Sequence, residues 1–292
     1  MTKHSRFIFH VPARNLAALL IGIALLGLQS SAQASQSPTR VDFVAAGTRG
    51  KVAILARIAE AREAIDPTAS AEILDDALVS SESEVRLAGL GAIGRQSFEA
   101  RQRPGAGRAN ALALSTAVVN RTRDLMRDPD PKVRLAAIIA AGNIDMLSHS
   151  DNMGRPTVSD SLLAELGGAY EVELDGRVRT EIIKAFALLP PGKDNRQARQ
   201  LFEAALDDAE PQVLQYAALG IASYRLQPLL ARLSVLLQSD SRIVRTAAGQ
   251  AIGAFGPSAA GQLDDVEAAL ARETDDVARR TLEGALAAIR KR

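Results

Sequence analysis

A valine opens a short alanine-rich stretch seven times along this chain, at Val52, Val85, Val133, Val178, Val213, Val244 and Val277. Four of them are followed by arginine, at Arg86, Arg134, Arg179 and Arg245. Neighbouring valines are 33, 48, 45, 35, 31 and 33 residues apart, which is the period of a stacked helical repeat. In such a stack each unit buries its apolar face against its neighbours, so length sets the number of units rather than the size of one closed core. A chain of 292 residues lies at the upper limit for a single core but has no such ceiling as a stack.

Within a unit the spacing predicts two helices. From Val133 to Gly142, offsets 0, 4, 7 and 8 fall on one helical face and carry Val133, Ala137, Ala140 and Ala141. The same offsets carry Val85, Gly89, Ala92 and Ile93, and again Val244, Ala248, Ala251 and Ile252. Gly94, Gly142 and Gly253 follow at offset 9, where a helix end is expected because glycine enters the left-handed C-cap without strain. A first helix is predicted upstream of each anchor, as in Ala111 to Met126, Leu162 to Ala169, Ala198 to Leu206, Leu229 to Leu237 and Leu263 to Leu270. The turns between, such as Asp128 to Pro131 and Asp207 to Pro211, hold carboxylates suited to capping and prolines suited to a first helical turn. Composition agrees: 47% of residues are hydrophobic but only 3% aromatic, so the core must be built from Ala, Leu, Ile and Val.

Strings of the form Asp-x-x-Val-Arg followed by Ala-Ala-x-Ala-Ile-Gly resemble HEAT repeats of the phycobilisome-lyase-like type, over roughly Thr48 to Ile289. The resemblance implies an all-α fold, a right-handed α-solenoid of six to seven helix pairs over residues 48–292, after a short segment 35–47. It also implies that the repeated arginines pair with an aspartate of a neighbouring repeat, and Asp130, Asp175 and Asp240 stand before their anchors as candidates. The likeness lies in the repeat alone and brings no chromophore-attaching activity with it.

Lys3, Arg6 and Arg14 precede the apolar run Leu16 to Leu28 and the small-residue pattern Ala32-Gln33-Ala34. This is the layout of a secretory signal peptide, expected over residues 1–34, which would place the mature chain in the periplasm or outside the cell. A retained anchor is the alternative, although the run is shorter than the roughly 20 residues that span a bilayer. No later stretch approaches that length. The chain has no cysteine, which excludes disulfides, thiol catalysis and cysteine metal sites. Without the first 34 residues it holds 32 basic against 34 acidic residues, a net of −2, which argues against general nucleic-acid binding.

Two spacings exceed the period by about a dozen residues. They place insertions, expected as loops, near Arg95 to Asn110 and near Asp145 to Asp160. The first carries Arg95, Arg101, Arg103 and Arg108 against Glu99. It reads either as a solvated linker or as a cationic loop for an acidic partner, a lipid headgroup or a cell-wall polymer. The second places His149 among Asp145, Asp151 and Asp160, which is read as a polar loop rather than a metal site. Asp207-Asp208, Asp264-Asp265 and Asp275-Asp276 are assigned to turns and helix starts. No G-x-S-x-G, His-Glu-x-x-His or P-loop occurs, so no enzyme, metal or cofactor is expected and a protein partner is.

Offsets 2 and 6 of each second helix point away from the core face. In the front repeats they are apolar, Ile54, Ile58, Leu87, Leu135 and Ile139, apart from Gly91; in the later ones they are polar, Thr180, Lys184, Gln215, Thr246, Gln250, Arg279 and Glu283, apart from Leu219. An apolar strip of this kind either binds a partner or lies under the insertions. The candidate partner-binding residues are Leu87, Leu135 and Ile139 with Tyr216 at the margin, together with Arg101, Arg103 and Arg108 of the basic insertion.

Overall fold

The computed structural model describes residues 37–60, 66–102, 114–149, 158–188 and 195–291. These residues form seven successive helix pairs, without strands among them. The pairs are α1 (Arg40–Ala45) with α2 (Thr48–Glu60), α3 (Pro67–Leu78) with α4 (Ser83–Gln102), and α5 (Thr116–Asp124) with α6 (Pro131–Ser148). They continue as α7 (Asp160–Val172) with α8 (Gly176–Leu188), and α9 (Arg196–Ala205) with α10 (Pro211–Ser223). The last are α11 (Leu230–Leu236) with α12 (Arg242–Phe255), and α13 (Leu263–Arg272) with α14 (Asp276–Ile289). Each second helix packs on the next second helix, from α2 on α4 through to α12 on α14, which builds an all-α solenoid.

The core follows the four-offset face. Val133, Ala137, Ala140 and Ala141 of α6 are buried, as are Val244, Ala248, Ala251 and Ile252 of α12. At both ends the register differs from the expected one by a single residue. Val277 is exposed, and the buried set of α14 is Ala278, Leu282, Ala285 and Leu286, so Ala278 is the anchor there. In α2 the buried residues are Leu55 and Ile58, which places the anchor position at Lys51 and moves Val52 to the following one. Ile58 is therefore core and not surface.

The structure adds one helix to these expectations and corrects two of them. The segment 35–47 contains α1, which opens on a Thr39–Asp42 capping box, buries Phe43 and ties Arg40 to Asp76 of α3 at 2.7 Å. The two insertions begin as extra helical turns, because α4 continues to Gln102 and α6 to Ser148. The glycines at offset 9 lie inside helices rather than capping them. At Gly253 the cause is close helix approach: a Cβ there would sit 2.9 Å from the Cα of Ala285 on α14. The residue that does cap α12 is Gly256, with φ +58°.

The turns within pairs behave as their composition predicts. Asp130 caps α6 through Lys132 N–H, Asp275 caps α14 through Val277 and Ala278 N–H, and Pro131 and Pro211 occupy first helical positions. No helix among the described residues is long and apolar enough to cross a membrane.

Candidate partner-binding surface

One edge of the solenoid is occupied by a ladder of ion pairs between successive repeats. Arg86 donates from Nε to Asp128 at 2.7 Å, Arg134 to Glu173 at 2.7 Å, Arg179 to Asp208 at 2.7 Å and Arg245 to Glu273 at 2.7 Å. Nη2 of each arginine reaches the second oxygen of the same carboxylate, which gives the two-pronged geometry available to a planar guanidinium. Nη1 turns back onto two carbonyls of its own repeat, such as Ser80 and Ser81 for Arg86. The acceptors are not Asp130, Asp175 or Asp240. Asp130 and Asp175 lie three residues before their anchors and turn their carboxylates onto the N–H groups of Lys132 and Arg177, while Asp240 offers Arg245 only its backbone carbonyl. The carboxylate five residues before each anchor points at the preceding repeat, and it also closes its own turn through the N–H two residues on.

These pairs are structural by their environment. Each ladder carboxylate side chain is at most 5% exposed, so leaving one unpaired would cost about 3–5 kcal/mol. The Arg245 guanidinium holds Glu273 down to about 2, against the opposing effect of burial. Burial alone would raise Asp208, but Arg179, the Glu210 N–H and the Tyr170 hydroxyl together bring it below the ordinary carboxylate range. Burial and the adjacent Asp208 carboxylate raise Tyr170. With its arginine forks already filled, this edge is poorly suited to taking another ligand.

The strip expected for recognition lies on the second helices. Leu87 on α4 and Leu135 and Ile139 on α6 are half-buried, and Leu87 and Leu135 pack against the core. These three residues share neighbouring helices, as their offsets predict. Tyr216 stands apart on α10, with α8 between, and its half-buried ring lies 6.0 Å from the Lys184 ammonium. Lys184 also pairs with Glu181 at 2.8 Å. Thr180 of the same helix is buried and donates to the Gly176 carbonyl.

The basic insertion is only partly in view. Arg95 is exposed on α4 and pairs with Glu99 one turn on, at 3.2 Å. Arg101 belongs to the last turn of α4, with its side chain outside the described residues, and Arg103 and Arg108 lie outside them altogether. Of the second insertion, Asp151 also falls outside, and no cluster able to hold a metal ion occurs among the described residues. Asp145 has a structural task instead: it is buried and accepts Arg123 Nη2 and Ser159 Oγ, both at 2.9 Å. His149 sits beside it, with Nδ1 3.4 Å from the carboxylate.

Sequence offsets did not point to the largest apolar exposures on the ladder edge. Val172 and Leu174 flank the ladder residue Glu173 and are 79% and 91% exposed. Their signal in the sequence is the turn itself, Val172-Glu173-Leu174-Asp175, the only one of the ladder turns to carry large aliphatic residues on both sides of its acceptor.

Residues 198–287 match the profile of HEAT repeats. No curated protein matches the chain. Among solved structures, an engineered protein is similar with a TM-score of 0.52 at 18% identity, covering 75% of this chain and 98% of that one. A designed armadillo repeat protein matches with a TM-score of 0.45 at 18% identity, over 74% of this chain and 98% of that one. The first likeness bears on the fold alone, and the profile match is to HEAT repeats at large rather than to the phycobilisome-lyase-like subtype. The chain is an all-α repeat protein whose helix pairs run from α1 to α14, and the last three of those pairs match the HEAT-repeat profile.

Proposed function

We propose that this protein is an exported, non-enzymatic scaffold that binds another protein along the second-helix face of its solenoid, with Leu87, Leu135 and Ile139 as the apolar part of the contact and Tyr216 at its margin. One observation supports this reading above the others. The side chains that hold repeats together and those left for recognition fall on different surfaces: ladder arginines are saturated at one edge, while Leu87, Leu135, Gln215 and Thr246 at offset 2 stay half-exposed on the helix face. A stack with an accessible row of side chains can take an extended or helical partner at repeated contact points.

Export rests on the basic, apolar and small-residue layout of residues 1–34. Mass measurement of the mature protein tests it, with Ser35 as the expected first residue. The binding face is tested by Leu135→Asp combined with Ile139→Asp. The expected result is an intact fold by circular dichroism with loss of a co-purifying envelope or secreted protein. Retained capture by the folded variant would count against this face. Binding of the unmodified protein to anionic vesicles that disappears in high salt would favour the basic stretch 95–108 and an anionic lipid or cell-wall polymer instead.

A further inference from the structure

The second helices pack on one another extensively at every junction except that between α6 and α8, where contact is short. The ninth position after each anchor shows the divergence in atomic detail. A Cβ on Gly94 of α4 would lie 3.8 Å from the Ala140 Cα of α6, and one on Gly253 of α12 would lie 2.9 Å from the Ala285 Cα of α14. A Cβ on Gly142 of α6 would meet nothing within 4 Å. At the equivalent point of the repeat, α6 and α8 are therefore apart.

Polar contacts span this junction, where the packing of second helices is short. Arg123 of α5 reaches Glu165 of α7 at 3.0 Å with Nη1 and Asp145 of α6 at 2.9 Å with Nη2. The Asp145 carboxylate accepts the backbone N–H and hydroxyl of Ser159, the residue that caps α7. Arg134 adds its ladder pair to Glu173. Apolar burial grows with area and resists separation over a whole face, whereas a few directional bonds hold two bodies at points.

We infer that the α6–α8 junction is the hinge of the solenoid: the block α1–α6 and the block α7–α14 reorient about it, and Arg123 is the clasp that joins them. Leu135 and Ile139 lie on the helix that forms one side of the hinge, so its opening changes their exposure.

Hydrogen exchange of the full chain in graded urea, read by mass spectrometry, tests this. In the unmodified protein, peptides from α8 are expected to lose protection at lower urea than those from α4 and α12. Arg123→Ala is expected to lower protection of the C-terminal turns of α6 and of α7 and α8 by about tenfold, with α12 unchanged. Arg123→Lys, which keeps the charge but cannot fork between two carboxylates, is expected to give the same pattern at smaller amplitude and serves if the alanine variant fails to fold. Equal protection of α8 and α12 in the unmodified protein, or a uniform loss along the chain in the variants, would overturn the hinge.

Discussion

Leu214 stands where Arg86, Arg134, Arg179 and Arg245 stand in their repeats, one residue after the buried anchor, and Ser239 stands where the answering carboxylate would be. The two replacements occur together. Ser239 still closes its own turn by accepting the Ser241 N–H at 3.2 Å, the task that Asp128, Glu173, Asp208 and Glu273 perform in addition to pairing with arginine. Val52 and Ser80 repeat this pattern in the first two units, with Ser80 accepting the Glu82 N–H. A serine suffices where no guanidinium arrives, and a carboxylate is present wherever one does.

Installing the missing rung is therefore expected to show coupling. Leu214→Arg alone should destabilise, because it removes a side chain packed on the core and brings a cation without a partner. Combined with Ser239→Glu it should recover about 1 kcal/mol beyond the sum of the single changes, measured by urea unfolding in a double-mutant cycle. Additive effects would show that position and partner are unrelated.

The glycines at offset 9 are expected to differ in their tolerance of alanine. Gly253→Ala places a Cβ against backbone that cannot move alone and should cost about 1–3 kcal/mol. Gly142→Ala meets open space and should be neutral or stabilise by up to about 1 kcal/mol through helix propensity. Thermal unfolding of the two variants compares them directly.

Acid should dissolve the ladder in a defined window. Glu273 has an ordinary value of 4.5 and is held at about 2 in the folded chain by Arg245. A depressed carboxylate contributes stability fully above its unfolded value and loses it as pH falls through the folded one. Glu273→Gln should thus cost about 2 kcal/mol at neutral pH, and its difference from the unmodified protein should stay level above about pH 5 and vanish towards pH 2. A difference independent of pH would mean that the charge on Glu273 contributes nothing.

The interior repeats were legible because a buried face repeats at offsets 0, 4, 7 and 8, whatever residues fill the rest. The end repeats differ by one position because Val52 and Val277 look like anchors while the register of the buried face begins at Lys51 and Ala278. The arginine ladder was foreseeable as a relation between repeats, but not its acceptors, since aspartates on either side of a turn differ only in which way the turn faces them. Asp130 looks inward to its own helix and Asp128 back to the previous repeat. Of the candidate strip, sequence periodicity placed Leu87, Leu135 and Ile139 together and left Tyr216 two helices away, a distance that only packing reveals.

The recognition face is tested most directly by a photo-crosslinking residue placed in intact cells at Ile139, at Gln250 on the polar half of the same face, and at Val235 on the exposed side of a first-layer helix. One discrete adduct is expected from Ile139 and is absent from Val235. No adduct from Ile139, or the same adducts from Ile139 and Val235 alike, would contradict it.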